Sequence, residues 1–343
     1  MAGALADLPF IDLYIRLDES DRPLFRSNLR GKGNLNQFVP DAYLDAVNRF
    51  AATAIAALAE EQERSIDFEN VRCRLSRQSL ADGTVWACAR RINTHVPELA
   101  KLGFAPHIHA HLHQLGARDG LIIVSGSAGQ GKTTTAAGLL ADFMRTYGGL
   151  AITIEDPVEY VMKGRHGDYG QCFQLEAKGD DDWEIHLKRG LRWAPRYVFV
   201  GEVRTPKAAE QLLRAATTGH MVVTTVHASA PEEALMSLLF LAEQAMGAGA
   251  TEILAGCLTA LVHQSMKEMG PFVRYLFTEE NAPGDPIRSL IREGKIGMIS
   301  TYIDRIAARL ANQPGMAQTM PAFSMPQGGL PPLPSHGGKA PDK

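Results

Sequence analysis

The sequence predicts an α/β protein, with a C-terminal parallel sheet covered by helices on both faces and a smaller α+β domain ahead of it. Three observations lead there. The stretch 121–135, Leu-Ile-Ile-Val-Ser-Gly-Ser-Ala-Gly-Gln-Gly-Lys-Thr-Thr-Thr, passes from an apolar strand through a glycine-rich loop into the start of a helix. Beyond it, short and nearly continuous apolar segments alternate with helical ones, as strands buried on both faces require. At 343 residues the chain also exceeds the length at which a single core stops growing, roughly 250–300 residues, so two domains are expected.

The first domain is expected over 1–102. Pro9–Leu17 partly alternates apolar and polar side chains and reads as a strand. Asp41 to about Glu63 is Ala-rich, with Leu44, Val47, Phe50, Ile55 and Leu58 near helical spacing and Asp41 placed as an N-cap. Val71–Ser79 and Thr84–Ile92 read as strands joined by an Asp82-Gly83 hairpin turn. A linker with a leading helix follows over 103–118. Its histidines form two i,i+4 pairs, His107/His111 and His109/His113, on different helix faces, which argues against one metal site.

The second domain is expected over 119–311. Its strand candidates are Leu121–Val124, Leu150–Ile154, Tyr197–Val200 and Met221–Val226, with helices at Lys132–Tyr147, Glu184–Arg192 and Pro206–Thr217. Helices are then expected at Pro231–Gln244, Thr251–Lys267, Pro286–Glu293 and Ile296–Leu310. In the remaining stretch, 312–343, 12 of 32 residues are Pro or Gly. Such a composition buries no core and predicts a disordered tail whose polyproline character suits partner binding.

With 45% hydrophobic and 21% charged residues and a net charge of −3, the composition is that of a globular protein without a basic field for nucleic acid. The four cysteines (Cys73, Cys88, Cys172, Cys257) form no CxxC pair. No basic, apolar leader opens the chain and no stretch of about 18 residues is apolar throughout. The expected place is therefore the cytoplasm, with any membrane association made through partners.

The loop carries the chemistry. Gly126 and Gly131 allow the backbone to turn tightly and bring successive N–H groups to an anion, and the following helix adds its unpaired N–H groups and positive dipole end. The run Gly126, Ser127, Ala128, Gly129, Gln130, Gly131, Lys132, Thr133 and Thr134 is thus the candidate site for a nucleoside triphosphate. Lys132 would reach the β- and γ-phosphates and Thr133 would hold Mg²⁺. Polar residues follow each later strand, where open parallel sheets bind ligands: Glu155-Asp156-Pro157, Gly201-Glu202-Val203-Arg204 and His227. Glycine stands at 201 where many such enzymes place their Mg²⁺-binding Asp, which leaves Glu202 and Glu155 to share the water and metal duties. Arg72, Arg74, Arg77, Arg90 and Arg91 stand out in the first domain, either as solvated strand faces or as groups facing a neighbouring subunit's nucleotide.

Four blocks now resemble a known family: Gly126-Ser-Ala-Gly-Gln-Gly-Lys-Thr133, Ile154-Glu-Asp-Pro-Val-Glu-Tyr160, Val200-Gly-Glu-Val-Arg204 and Thr218-Gly-His-Met-Val-Val-Thr-Thr-Val-His227. They are similar to the Walker A, Asp box, Walker B and His box of the secretion ATPases, which include type II and type IV secretion motors and pilus extension and retraction motors. Ile11-Asp-Leu-Tyr14 and Asp285–Lys295 extend the resemblance to about 8–310. It implies a RecA-like P-loop NTPase domain behind a PAS-like N-terminal domain, in a homo-hexamer that uses ATP and Mg²⁺ and docks on inner-membrane secretion or pilus platform proteins. By the same resemblance Glu202 is the Walker B glutamate and Glu155 the Asp-box glutamate. His227, with His220 a second candidate, would sense the γ-phosphate, and Arg74 and Arg91 would bring positive charge to the nucleotide, often from across a boundary.

Arg196 and Thr205 stand where the family commonly has Asp, Ser265-Met266-Lys267 replaces its Arg-Leu-Leu-Pro run, and the four-cysteine zinc module of the type II motors is missing. These departures favour a type IVB (Dot/Icm or IncI conjugation) ATPase. The alternatives are a pilus retraction motor and an ATP-gated assembly or regulatory protein with little turnover. A small-molecule phosphotransferase would want a lid and an acceptor pocket, of which the sequence gives no sign.

Overall fold

In the computed structural model of the chain, the described residues are 3–19, 21–27, 36–92, 95–267, 270–279 and 284–311. The tail expected over 312–343 lies outside them. Among them, the first domain is a six-stranded antiparallel sheet in the order β3-β2-β1-β6-β5-β4. Its elements are β1 (Phe10–Arg16), β2 (Leu24–Ser27), β3 (Asn36–Phe38), α1 (Leu44–Ala57), β4 (Glu63–Phe68), β5 (Val71–Ser79) and β6 (Val85–Ile92). Strand periodicity sorts β5 cleanly, since Val71, Cys73 and Leu75 are buried while Arg72 and Arg74 take the other face. Val47, Phe50 and Ala54 of α1 join them in one core. The hairpin turn forms as expected, with Asp82 Oδ1 accepting from the Thr84 N–H (3.0 Å) and Gly83 at φ +85°.

The helix expected over 41–63 is shorter. Asp41 opens a 3₁₀ turn and makes no cap; its carboxylate is instead taken by Arg22 at 2.7 Å. At the other end Glu63 begins β4, where pairing with β5 outweighs the local helical pattern.

A linker helix, α2 (Pro106–Gln114), leads into the second domain. That domain holds β7 (Gly120–Gly126), α3 (Lys132–Tyr147), β8 (Gly149–Glu155), β9 (Gly164–His166), β10 (Gly170–Glu176), α4 (Asp180–Leu191), β11 (Tyr197–Glu202) and α5 (Pro206–Thr217). It continues through β12 (Met221–His227), α6 (Pro231–Met246), α7 (Gly249–Cys257), β13 (Leu258–Lys267), β14 (Gly270–Phe277), α8 (Pro286–Arg292) and α9 (Ile299–Ala311). The sheet order is β14-β13-β7-β12-β11-β8-β10-β9. Pairings from β13 to β10 are parallel, and an antiparallel hairpin closes each side.

Two cores flank this sheet. Leu139, Leu140 and Phe143 of α3 and Leu112 of α2 pack on one face with Phe199 and Val223. Leu212, Leu213, Leu235 and Leu254 from α5, α6 and α7 pack on the other with Leu121 and Val200. Each fully buried large side chain contributes about 1.5–3 kcal/mol relative to exposure, so the strand ends that carry the polar residues rest on a rigid base. The one element of this domain read in the wrong class is Thr251–Lys267. The helix stops at Cys257, and Leu258–Lys267 is a strand paired with β7 and β14.

Contacts between the domains converge on one place. Ser65 on β4 donates to Glu176 Oε1 at the end of β10 (3.3 Å), and Arg74 on β5 lies 3.8 Å from Asp156 just after β8. The linker helix sets His107 against Tyr275 and His111 against Phe277 of β14, while His113 Nδ1 meets Asp142 of α3 at 2.7 Å.

Candidate active site

At the carboxyl ends of β7, β8, β11 and β12 a cleft of about 470 Å³ opens. Its floor is the loop between β7 and α3. Gly129 and Gly131 take φ of +72° and +77°, values an L side chain rarely adopts, and Gly131 stands at the N-cap of α3 with no side chain capping the helix. The first-turn amides of α3 are left for an anion, and that geometry fits a phosphate group. A Cβ on Gly126 would run into the carbonyl oxygen of Gln264, and one on Gly131 would lie 2.9 Å from Gln264 Nε2.

Gln264 therefore sets the loop's back wall. Its Nε2 donates to the Gln130 carbonyl (2.6 Å) and its Oε1 accepts from Thr135 (2.7 Å), while Gln130 Oε1 accepts from the Met266 N–H (2.5 Å). Lys132 Nζ donates across the loop to the Ser127 carbonyl at 3.0 Å. Burial pushes its pKa down, against the pull of Glu202 and Glu159.

Two carboxylates face this floor and differ sharply in environment. Glu155, at the end of β8, is 2% exposed, and burial raises its carboxyl to about 7. Thr153 Oγ1 (2.6 Å) and Gln174 Nε2 (3.0 Å) both donate to its Oε1. Glu202 lies at the end of β11, just past a register break at Gly201, and is far more open. Arg204 holds it at 3.0 Å and reaches Asp156 at 3.3 Å. A buried carboxyl whose pKa burial raises, beside an open, arginine-paired one, gives the site one group suited to accepting a proton and one suited to a cation or water.

Of the residues singled out from the sequence, Ala128, Gly129, Gly131, Lys132, Thr133, Thr134, Glu155, Glu202 and His227 line the cleft. Thr133 and Glu202 share it as oxygen donors, a set that fits Mg²⁺. Ser127 serves through its carbonyl on Lys132, and Gly126 and Gln130 through their contacts with Gln264. Arg74 stands at the rim, paired with Glu63 and near Asp156. Arg91 points elsewhere in its own chain: its guanidinium donates to the carbonyls of Leu8 (3.1 Å) and Ala6 (2.7 Å) and lies over Phe10. His220 begins at the wrong end of β12 for phosphate sensing, about 20 Å along the strand from His227, with its Nδ1 on the Pro195 carbonyl.

Sequence reasoning assigned no role to Thr153, Gln174 and Gln264, and quoted Tyr160 only as the end of one block; the side chains of all four meet the site through hydrogen bonds. Tyr160 shares a 2.8 Å bond with Thr134. The departures at 196 and 205 have structural roles. Arg196 stacks on Tyr147 and Tyr197 and donates to the Gly116 carbonyl, and Thr205 caps α5 through the Ala208 N–H.

A glycine-rich loop feeding an uncapped helix between parallel strands makes the chain a P-loop nucleotide-binding protein. The model of the family "Type II/IV secretion system protein" matches residues 63–291, and the chain belongs to that family. It is 31% identical over 201 residues to the type IV pilus ATPase PilU of Pseudomonas aeruginosa, a stretch covering 54% of this chain and 50% of PilU. The chain thus spans half the length of that relative. Its structure is similar to that of the pilus retraction motor PilT with bound ADP, with a TM-score of 0.68, 25% identity, and 90% of this chain and 87% of that one covered. The Legionella pneumophila ATPase DotB shares the fold, with a TM-score of 0.64 and 21% identity over 89% of this chain and 85% of its own.

Proposed function

We propose that the chain is an ATP hydrolase that drives a secretion or transfer apparatus as a ring of identical subunits. The observation that carries this is the meeting of the phosphate loop with two carboxylates from adjacent strand ends, Glu155 and Glu202, in one cleft. Lys132 and the loop amides hold the phosphates, and Thr133 and Glu202 hold Mg²⁺. When bound with the nucleotide, Mg²⁺ neutralises charge on the β- and γ-phosphates. Glu155, with Glu202, orients a water whose oxygen attacks the γ-phosphorus, and takes the proton as the bond to the bridging oxygen breaks. His227, which lines the cleft at the end of β12, would sense the γ-phosphate. Arg74 on the rim would supply late positive charge.

Among the described residues no helix is long and apolar enough to cross a membrane, so the proposed position is cytoplasmic, held at the inner membrane by platform proteins. Within this family we favour a type IVB-like secretion or conjugation motor, on the strength of Ser265-Met266-Lys267, Arg196 and Thr205. The likeness to PilU and PilT supports pilus retraction as the second reading. Loss of plasmid or substrate transfer on deleting the gene supports the first; unchanged transfer with excess pili supports the second.

The biochemical test is ATP turnover per subunit against protein concentration, for the wild type and Glu202→Gln. Turnover that rises with concentration and vanishes in the variant is expected. Nucleotide binding with equal, negligible turnover in both proteins would refute hydrolysis.

A further inference from the structure

Gln174 lies on β10 directly beside Thr153 of β8 in the parallel ladder, so the two side chains share a face of the sheet. Glu155, two residues beyond Thr153, points to that face as well. These three side chains form a triangle, and Gln174 spends its whole amide on it and on the adjoining loop. Its Nε2 donates to Glu155 Oε1 (3.0 Å) and to the Tyr160 carbonyl (2.9 Å). Its Oε1 accepts from the N–H groups of Met162 (2.6 Å) and Lys163 (2.8 Å). Two donors and two acceptor sites are all an amide has. Flipping it would set the NH₂ against two N–H groups, so its orientation is fixed.

Resting on the hydrolysis reading above, we propose that Gln174 is a positioning residue for this site, aiming the Glu155 carboxylate while locking the loop that follows β8. The loop's own contribution is direct. Asp156, Pro157 and Glu159 line the cleft, and Tyr160 bonds to Thr134 on the first turn of α3. One half-buried amide thus ties the base, the loop and the phosphate-binding helix into one unit, and nothing in the local sequence marks it. Gln174 and Thr153 also oppose the burial that raises Glu155, because hydrogen bonds to the charged form favour it. Glu159 faces the same carboxyl from the loop and Cys172 from β10, with Lys132, Glu202 and His227 across the cleft.

Two variants of the full chain separate aiming from clamping. Gln174→Glu keeps acceptors for Met162 and Lys163 but removes the donor to Glu155; Gln174→Leu removes everything. Two readouts are taken: steady-state ATP turnover, and the Glu155 carboxyl ¹³C signal across pH without nucleotide, assigned with Glu155→Gln. Both variants are expected to lower kcat about 10- to 100-fold, to change KM for ATP and ADP affinity less than about threefold, and to move the Glu155 midpoint upward. A Glu155 signal that titrates as in the wild type in both variants would overturn the positioning role, whether or not ATP is hydrolysed. So would a kcat retained in Gln174→Glu, or a loss of affinity that matches the loss of kcat. A wild type without turnover, together with a shifted Glu155 in the variants, would refute hydrolysis and leave Gln174 in its role.

Discussion

Replacing Glu155 with Gln should make the protein more tolerant of alkaline pH while silencing it. The native Glu155 carboxyl holds its proton up to about 7, against an ordinary value of 4.5, because burial disfavours the charged form. Between those two values the native state binds more protons than the unfolded chain, so stability falls as pH rises, and above them the ionised group costs about 3 kcal/mol. The amide introduced by Glu155→Gln would carry no such charge. It can still accept from Thr153 and Gln174, although it cannot serve every donor of a carboxylate, and any such loss is the same at all pH values. Comparing melting temperatures at pH 5 and pH 8 isolates the pH-dependent part, about 2.5 kcal/mol. For a domain of this size that is roughly 5–10 °C in favour of the variant as pH increases. Calorimetric scans of both proteins from pH 5 to pH 8 measure it. A gap in melting temperature that stays constant to within about 1 °C would refute the claim that a buried, proton-retaining carboxyl sits at the end of β8.

The phosphate loop offers two further tests. Gln264→Ala frees the Gln130 carbonyl and Thr135 together; it should weaken ADP binding about tenfold by calorimetric titration and destabilise the fold by about 1–3 kcal/mol. Gly131→Ala forces a side chain onto φ +77° and against Gln264 Nε2, so it should cost about 1–2 kcal/mol and abolish binding of a fluorescent ADP analogue, with far-UV circular dichroism unchanged.

What the sequence disclosed about this molecule follows a physical divide. The loop was legible because glycine positions, Lys132 and Thr133 are dictated by local backbone geometry, and the strands behind it because each is buried on both faces. Leu258–Lys267 was not, since an apolar run without Gly or Pro fits a buried strand and a buried helix equally until its neighbours are known; pairing with β7 and β14 decides it. β10 escaped for a related reason. Its Gln171, Gln174 and Glu176 look like surface residues, and Gln174 becomes structural only because β8 brings Thr153 and Glu155 alongside. Arg91 shows the reverse case, where a residue type suited to a phosphate is occupied within its own chain by the carbonyls of Ala6 and Leu8.

The hairpins that close the larger sheet bear on how copies of the chain can meet. On one margin β9 is only three residues long, with Arg165 exposed at its centre. On the other, β14 carries Pro271, and α9 is tied along it by Arg274, which donates to Asp304 (2.9 Å) and the Ser300 carbonyl (3.2 Å). Neither margin is a template on which a foreign strand can lay down a ladder. In the ring proposed above, copies of the chain could crowd around a common axis without their larger sheets fusing, and along these margins the joints between them would be made by helices, loops and side chains that can slide and let go.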